Sequence, residues 1–174
     1  IGDSITSGEG MAGARGVVEW NSAMFSTNGH YVLRVADELN ADYRIISQSG
    51  WGVCSSWDND PRRVLPLYYE QVCGLLCGRA QLDAGAGTDV VLDNLGTNDA
   101  NAFQNKEWVD EKTGEKFRQK LNADGSFEAK SLERFEKAVY NFLVLLRKNN
   151  ADAHIVWLYG MIGRAMEPYI LDAM

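Results

Sequence analysis

The 174 residues are 45% hydrophobic, enough to fill one core, so a single domain spanning 1–174 is expected. A net charge of −7 argues against a surface that tracks phosphates, and hence against nucleic acid as a partner. No run of about 18 apolar residues occurs, which excludes a membrane-spanning helix within this sequence.

The chain opens on Ile1-Gly2-Asp3-Ser4-Ile5-Thr6, a turn sequence with a serine at its tip. Tyr31–Leu39 carries apolar residues at Val32, Val35, Ala36 and Leu39, the spacing of a buried helical face. Tyr43–Ser47 and Asp89–Leu95 are short continuous apolar runs, as expected for parallel strands covered on both sides. Between Asn101 and Phe127 lies a charged stretch with turn signals at Thr113-Gly114 and Asp124-Gly125, either a short hairpin or an irregular loop. A long helix follows from about Glu128 to Lys148, with Leu132, Phe135, Val139, Phe142, Leu143 and Leu146 on one stripe. Arg147 and Lys148 suit the negative end of its dipole, and Asn149-Asn150 stops it. A third strand, His154–Tyr159, and a helix over Ala165–Met174 complete the pattern.

Strands alternating with helices predict an α/β domain with a parallel sheet and right-handed crossovers. A Gly-Asp-Ser turn ordinarily follows a buried strand, of which only Ile1 is present, and no strand follows the last helix. The sequence therefore reads as part of a longer domain, short at both ends.

Three motifs fall immediately after strand ends, where ligands of open α/β sheets bind: Gly2-Asp3-Ser4, Ser49-Gly50-Trp51-Gly52 and Gly96-Thr97-Asn98-Asp99. Each taken singly is an ordinary turn or Asx-turn. Together they assemble the chemistry of acyl transfer. Ser4 is the candidate nucleophile, and it needs an adjacent base to take its proton. Gly52, through its backbone N–H, and Asn98, through its side-chain amide, are candidate donors to the oxyanion, with the Ser4 N–H a third. Asp3 is placed to hydrogen-bond the turn that holds Ser4, and Asp99 to orient Asn98 or cap the turn after it.

These blocks resemble the serine, glycine and asparagine blocks of the SGNH (GDSL-type) esterases. The second block departs from the common pattern, which has an asparagine where Ser47-Gln48-Ser49 stands here. The Ser-Gly-Trp-Gly form, with Tyr159-Gly160-Met161, is similar to the acetyl-esterase branch related to carbohydrate esterase family 2. The resemblance implies a three-layer α/β/α sandwich with a flavodoxin-like sheet and deacetylation of a small-molecule or polysaccharide ester. It implies no metal and no organic cofactor, and a β-sandwich domain preceding the catalytic one. The family's fourth block, Asp-x-x-His, is not among these residues; the only histidines, His30 and His154, follow Thr27 and Ala151 at the matching position. Both are read as structural, which puts the catalytic histidine outside the 174 residues and makes the chain by itself nearly inactive.

Trp51 beside the oxyanion glycine is a candidate sugar-stacking residue, and Trp20 and Trp57 lie in neighbouring loops. Two other readings share the fold: a non-catalytic carbohydrate-binding domain, and a lipase- or thioesterase-type hydrolase with an apolar acyl channel near Trp51. Two motifs are decoys. Gly8-Glu9-Gly10-Met11-Ala12-Gly13 has the spacing of a dinucleotide fingerprint without the strand before it, and Asp58-Asn59-Asp60 lacks the glycine of a calcium loop. Cys54, Cys73 and Cys77, an odd set without metal-site partners, read as free thiols.

Overall fold

The computed structural model describes residues 1–13, 19–71 and 87–174. Cys73 and Cys77 lie outside the described residues. The backbone forms five α-helices among them: α1 (Ser4–Ser7), α2 (Tyr31–Leu39), α3 (Thr97–Ala102), α4 (Ala129–Asn149) and α5 (Glu167–Ala173). The strands are β1 (Val90–Asp93), β2 (Trp108–Val109), β3 (Lys116–Phe117) and β4 (His154–Trp157).

The central sheet is parallel and is longer than its regular strands suggest. β1 pairs with β4 in register from Val90 with His154 to Asp93 with Trp157. On the other side of β1, Gly2 bridges in parallel to both Asn94 and Ser47. The order across the sheet is thus the 46–48 segment, Ile1-Gly2, β1, β4. The sheet grows in one direction from Ile1-Gly2 to residue 47 and in the other to β1, so the switch point lies beside Ile1-Gly2, where such folds bind their ligands. This is the α/β architecture with a parallel sheet that the alternation of elements implied.

Tyr43–Ser47 differs from expectation: among the described residues only Ser47 of this run takes part in a bridge, to Gly2. Two hydrogen bonds carry that contact, Gly2 N–H to Ile46 O at 3.0 Å and Gln48 N–H to Gly2 O at 3.1 Å. Gly2 has no room for a side chain, since a Cβ there would stand 2.0 Å from Thr6 Oγ1 and 3.0 Å from Asn94 O.

α4 fulfils its periodicity. Phe135, Val139, Phe142 and Leu146 are buried, and Phe142 meets Tyr69 and Trp157 edge-on. Full burial of four such side chains is worth roughly 2 kcal/mol each, which makes α4 a principal weight on the sheet. α2 spans the predicted residues, but Val35 and Leu39 are exposed; they line an open cavity of about 740 Å³ with Tyr43 and Val90. The 101–127 stretch is a hairpin, β2 against β3, followed by a Leu121–Phe127 bridge that closes the Asp124-Gly125 turn. Asn59 ties this excursion down. Its Nδ2 donates to Ala102 O at 2.8 Å and Lys106 O at 3.0 Å, and its Oδ1 accepts the Gln119 N–H at 2.8 Å.

Candidate active site

α1 begins on the residue after Gly-Asp, and Asp3 is the reason. Its Oδ1 accepts the Ile5 N–H at 3.0 Å, the N-cap bond that starts a helix, while its carbonyl receives the Ser7 N–H and hydroxyl. Ser4 is therefore the first helical residue, partly buried at the carboxyl edge of the sheet. Three anchors hold the short helix: Thr6 Oγ1 with Tyr31 Oη at 2.9 Å, Ser7 Oγ with Ser47 Oγ at 2.9 Å, and His30 Nε2–H donating to Ile5 O at 2.9 Å. His30 is 1% exposed and committed to that carbonyl, a core histidine under α1. His154 is exposed at the start of β4. It stands three residues, about 10 Å of strand, back from the carboxyl end where Ser4 lies. His30 thus lies in the core and His154 on the surface.

The asparagine block forms α3. Gly96 makes the turn into it at φ 117°, where a Cβ would come within 2.9 Å of the Tyr159 ring. Asn98 and Asp99 are buried in its first turn. Asn98 Nδ2 donates to Trp51 O at 2.9 Å and to Asp3 Oδ2 at 3.1 Å, so its carboxamide touches both other motifs. Asp99 neither orients Asn98 nor caps the next turn. Its Oδ2 takes the Val53 N–H at 2.9 Å, and its Oδ1 those of Cys54 and Ser55 at 2.7 and 3.2 Å. That carboxylate organises the loop carrying Gly52. A Cβ at Gly52 would lie 2.4 Å from Asp99 Oδ2 and 2.3 Å from Ser55 O, which is why the loop needs glycine there. Gly52 bridges in parallel to Val64, and its carbonyl accepts the Leu65 N–H at 3.0 Å. Its peptide thus faces the 63–65 segment.

The polar floor is acidic. Burial raises the Asp3 carboxyl to about 6, with Asp99 and Glu9 adding repulsion and the Ile5 N–H opposing. Burial raises Asp99 against the pull of its three N–H donors. Asp93, the last residue of β1, is fully buried with neither oxygen hydrogen-bonded, and burial lifts it to about 7. An acidic residue closing the apolar run Val90-Val91-Leu92 was the available sign of it. Cys54 is free, and burial beside Asp99 pushes its thiol up to about 12, so it is no nucleophile.

One expected site residue is placed otherwise. Trp51 is 7% exposed and packs on Tyr68 with ring centroids 4.8 Å apart, so its indole is core and only its carbonyl serves the site. The exposed aromatic at this edge is Trp57, 48% exposed, whose ring covers Gly50. Trp20 is exposed against Phe25. No cluster of His, Cys, Asp and Glu able to hold a metal occurs among the described residues, and no described helix is long and apolar enough to cross a membrane.

No family model matches this sequence, and neither does any curated protein sequence. Among solved structures it is similar to an acetyl xylan esterase from the rumen bacterium Butyrivibrio proteoclasticus. That match has 38% identity and a TM-score of 0.94, covering 99% of this chain and 48% of the other. A family two carbohydrate esterase from Clostridium thermocellum, in complex with cellohexaose, shares 23% identity at TM-score 0.74, over 99% of this chain and 47% of that one. Another from Cellvibrio japonicus shares 21% at 0.73, over 99% and 46%. The last two establish the likeness of fold alone. The chain spans about half the length of each.

Proposed function

From this chain's similarity to an acetyl xylan esterase and to carbohydrate esterases of family 2, we propose that it forms most of the catalytic domain of a serine esterase that removes acetyl groups from O-acetylated carbohydrate. The observation that carries the reading is the convergence of three motifs at the switch point of a parallel sheet. Partly buried Ser4 starts α1, and the Asn98 carboxamide bonds both the Asp3 that caps that helix and the Trp51 that precedes Gly52.

Ser4 Oγ attacks the ester carbonyl carbon and passes its proton to a histidine outside these residues. The carbonyl π electrons move to oxygen. The resulting oxyanion is received by the Ser4 N–H at the open end of α1, by Asn98 Nδ2, and by the Gly52 N–H once it is released from its bridge to the 63–65 segment. The oxyanion collapses, the C–O bond to the sugar breaks, and the histidine returns its proton to the leaving alcohol. Water, deprotonated by the same histidine, then releases acetate from Ser4. Each donor is worth about 3 kcal/mol of transition-state stabilisation. The similarity to an acetyl xylan esterase supports acetylated xylan as a substrate, with Trp57 as the aromatic on which a sugar ring stacks.

Hydrolysis of acetylated xylan and of a small acetyl ester by the full-length protein tests the reading. Ser4→Ala is expected to lower kcat by at least about 10³-fold without changing the fold. Undiminished turnover in Ser4→Ala overturns the mechanism.

A further inference from the structure

The Asn98 side chain has two amide hydrogens, and both are directed at protein acceptors: Trp51 O at 2.9 Å and Asp3 Oδ2 at 3.1 Å. An oxyanion bound by Asn98 must therefore take over one of these two bonds. Asp3 is 1% exposed, and its other oxygen holds the Ile5 N–H at 3.0 Å. One carboxylate thus serves the helix that presents Ser4 and the side chain that is to receive the substrate's charge. Its bond to Asn98 is the longer of the two.

We propose that Asp3 is a positioning residue acting through Asn98: it holds the carboxamide turned toward the Ser4 end of the site and yields one N–H to the oxyanion as it forms. The inference rests on the esterase reading above. Only a group accepting on two oxygens can do both tasks. An asparagine at position 3 has one acceptor oxygen, so if it keeps the Ile5 cap, its NH2 faces the NH2 of Asn98 and turns that side chain away. A serine at position 3 caps α1 as well as aspartate does but is too short to serve Asn98.

The test measures acetyl-ester turnover by the full-length protein for Asp3→Asn, Asp3→Ser, Asn98→Ala, Ser4→Ala and the double variant Asp3→Asn/Asn98→Ala. Both Asp3 variants are expected to lose about 10- to 100-fold in kcat with KM within about twofold, the signature of a misplaced donor. The double variant should be no slower than Asn98→Ala alone, because the two residues act as one. In ¹⁵N-labelled protein the Asn98 side-chain amide resonances should shift in both Asp3 variants, a readout that needs no turnover. Losses at Asp3 and Asn98 that multiply, unchanged kcat in a folded Asp3→Ser, or unmoved Asn98 resonances overturn this proposal. Turnover surviving Ser4→Ala overturns the esterase reading instead, and this inference falls with it.

Discussion

Replacing Asp99 by asparagine keeps the shape of the side chain and removes one acceptor. The best placement puts the remaining oxygen at the Oδ1 position, where it keeps the Cys54 and Ser55 N–H groups at 2.7 and 3.2 Å. The new NH2 then faces the Val53 N–H, which in the native loop lies 2.9 Å from Oδ2 and is buried. One orphaned buried donor costs about 1–3 kcal/mol, and the opposed amide adds a similar amount. Against this stands relief from burying a carboxylate whose ionisation the site already disfavours. The net destabilisation is about 2 kcal/mol at neutral pH. Asp99→Ala orphans all three donors and should cost about 3–5 kcal/mol. Urea unfolding of the intact protein reads the total, and hydrogen exchange at single amides reads its origin. Protection should be lost at Val53 in the asparagine variant and at Val53, Cys54 and Ser55 in the alanine variant. A midpoint shift below about 0.5 kcal/mol, with Val53 still protected, would refute the account of this loop.

Asn59→Ala should destabilise by about 3 kcal/mol or more, since it strands the buried Gln119 N–H and the Ala102 and Lys106 carbonyls; the melting temperature checks this. Gly52→Ala puts a methyl group against Asp99 and the Ser55 carbonyl, so the loop must shift, at about 1–3 kcal/mol. Acetyl-ester kcat should fall with it, and a variant of native stability and turnover would contradict the packing. Stability should also fall as pH rises from about 4 to above 7. Burial raises Asp3 to about 6, Asp93 to about 7, and Asp99 as well, so the folded chain holds protons that the unfolded chain releases. Their contribution is complete below the unfolded carboxylate range and lost once pH passes the folded values. Urea midpoints at pH 4.5 and 7.5, with Asp3→Asn flattening the difference, measure it.

What the sequence determined by itself was local and periodic. The Phe135–Val139–Phe142–Leu146 stripe predicts the buried face of α4 because a helix repeats every 3.6 residues, and the apolar runs at Val90 and His154 predict parallel strands. Turn-forming residues after strand ends pointed the three motifs to one edge of the sheet, where Asn98 bonds Asp3 and the Trp51 carbonyl. Tertiary structure decided everything that depends on which distant groups meet. The order of Ile1-Gly2 between Ser47 and β1, the burial of Trp51 against Tyr68, and the exposure of Val35 and Leu39 follow from packing, not from spacing along the chain. So do the two tasks of Asp3 and the grip of Asp99 on the loop after Gly52, because a carboxylate takes whichever donors the fold brings to its oxygens.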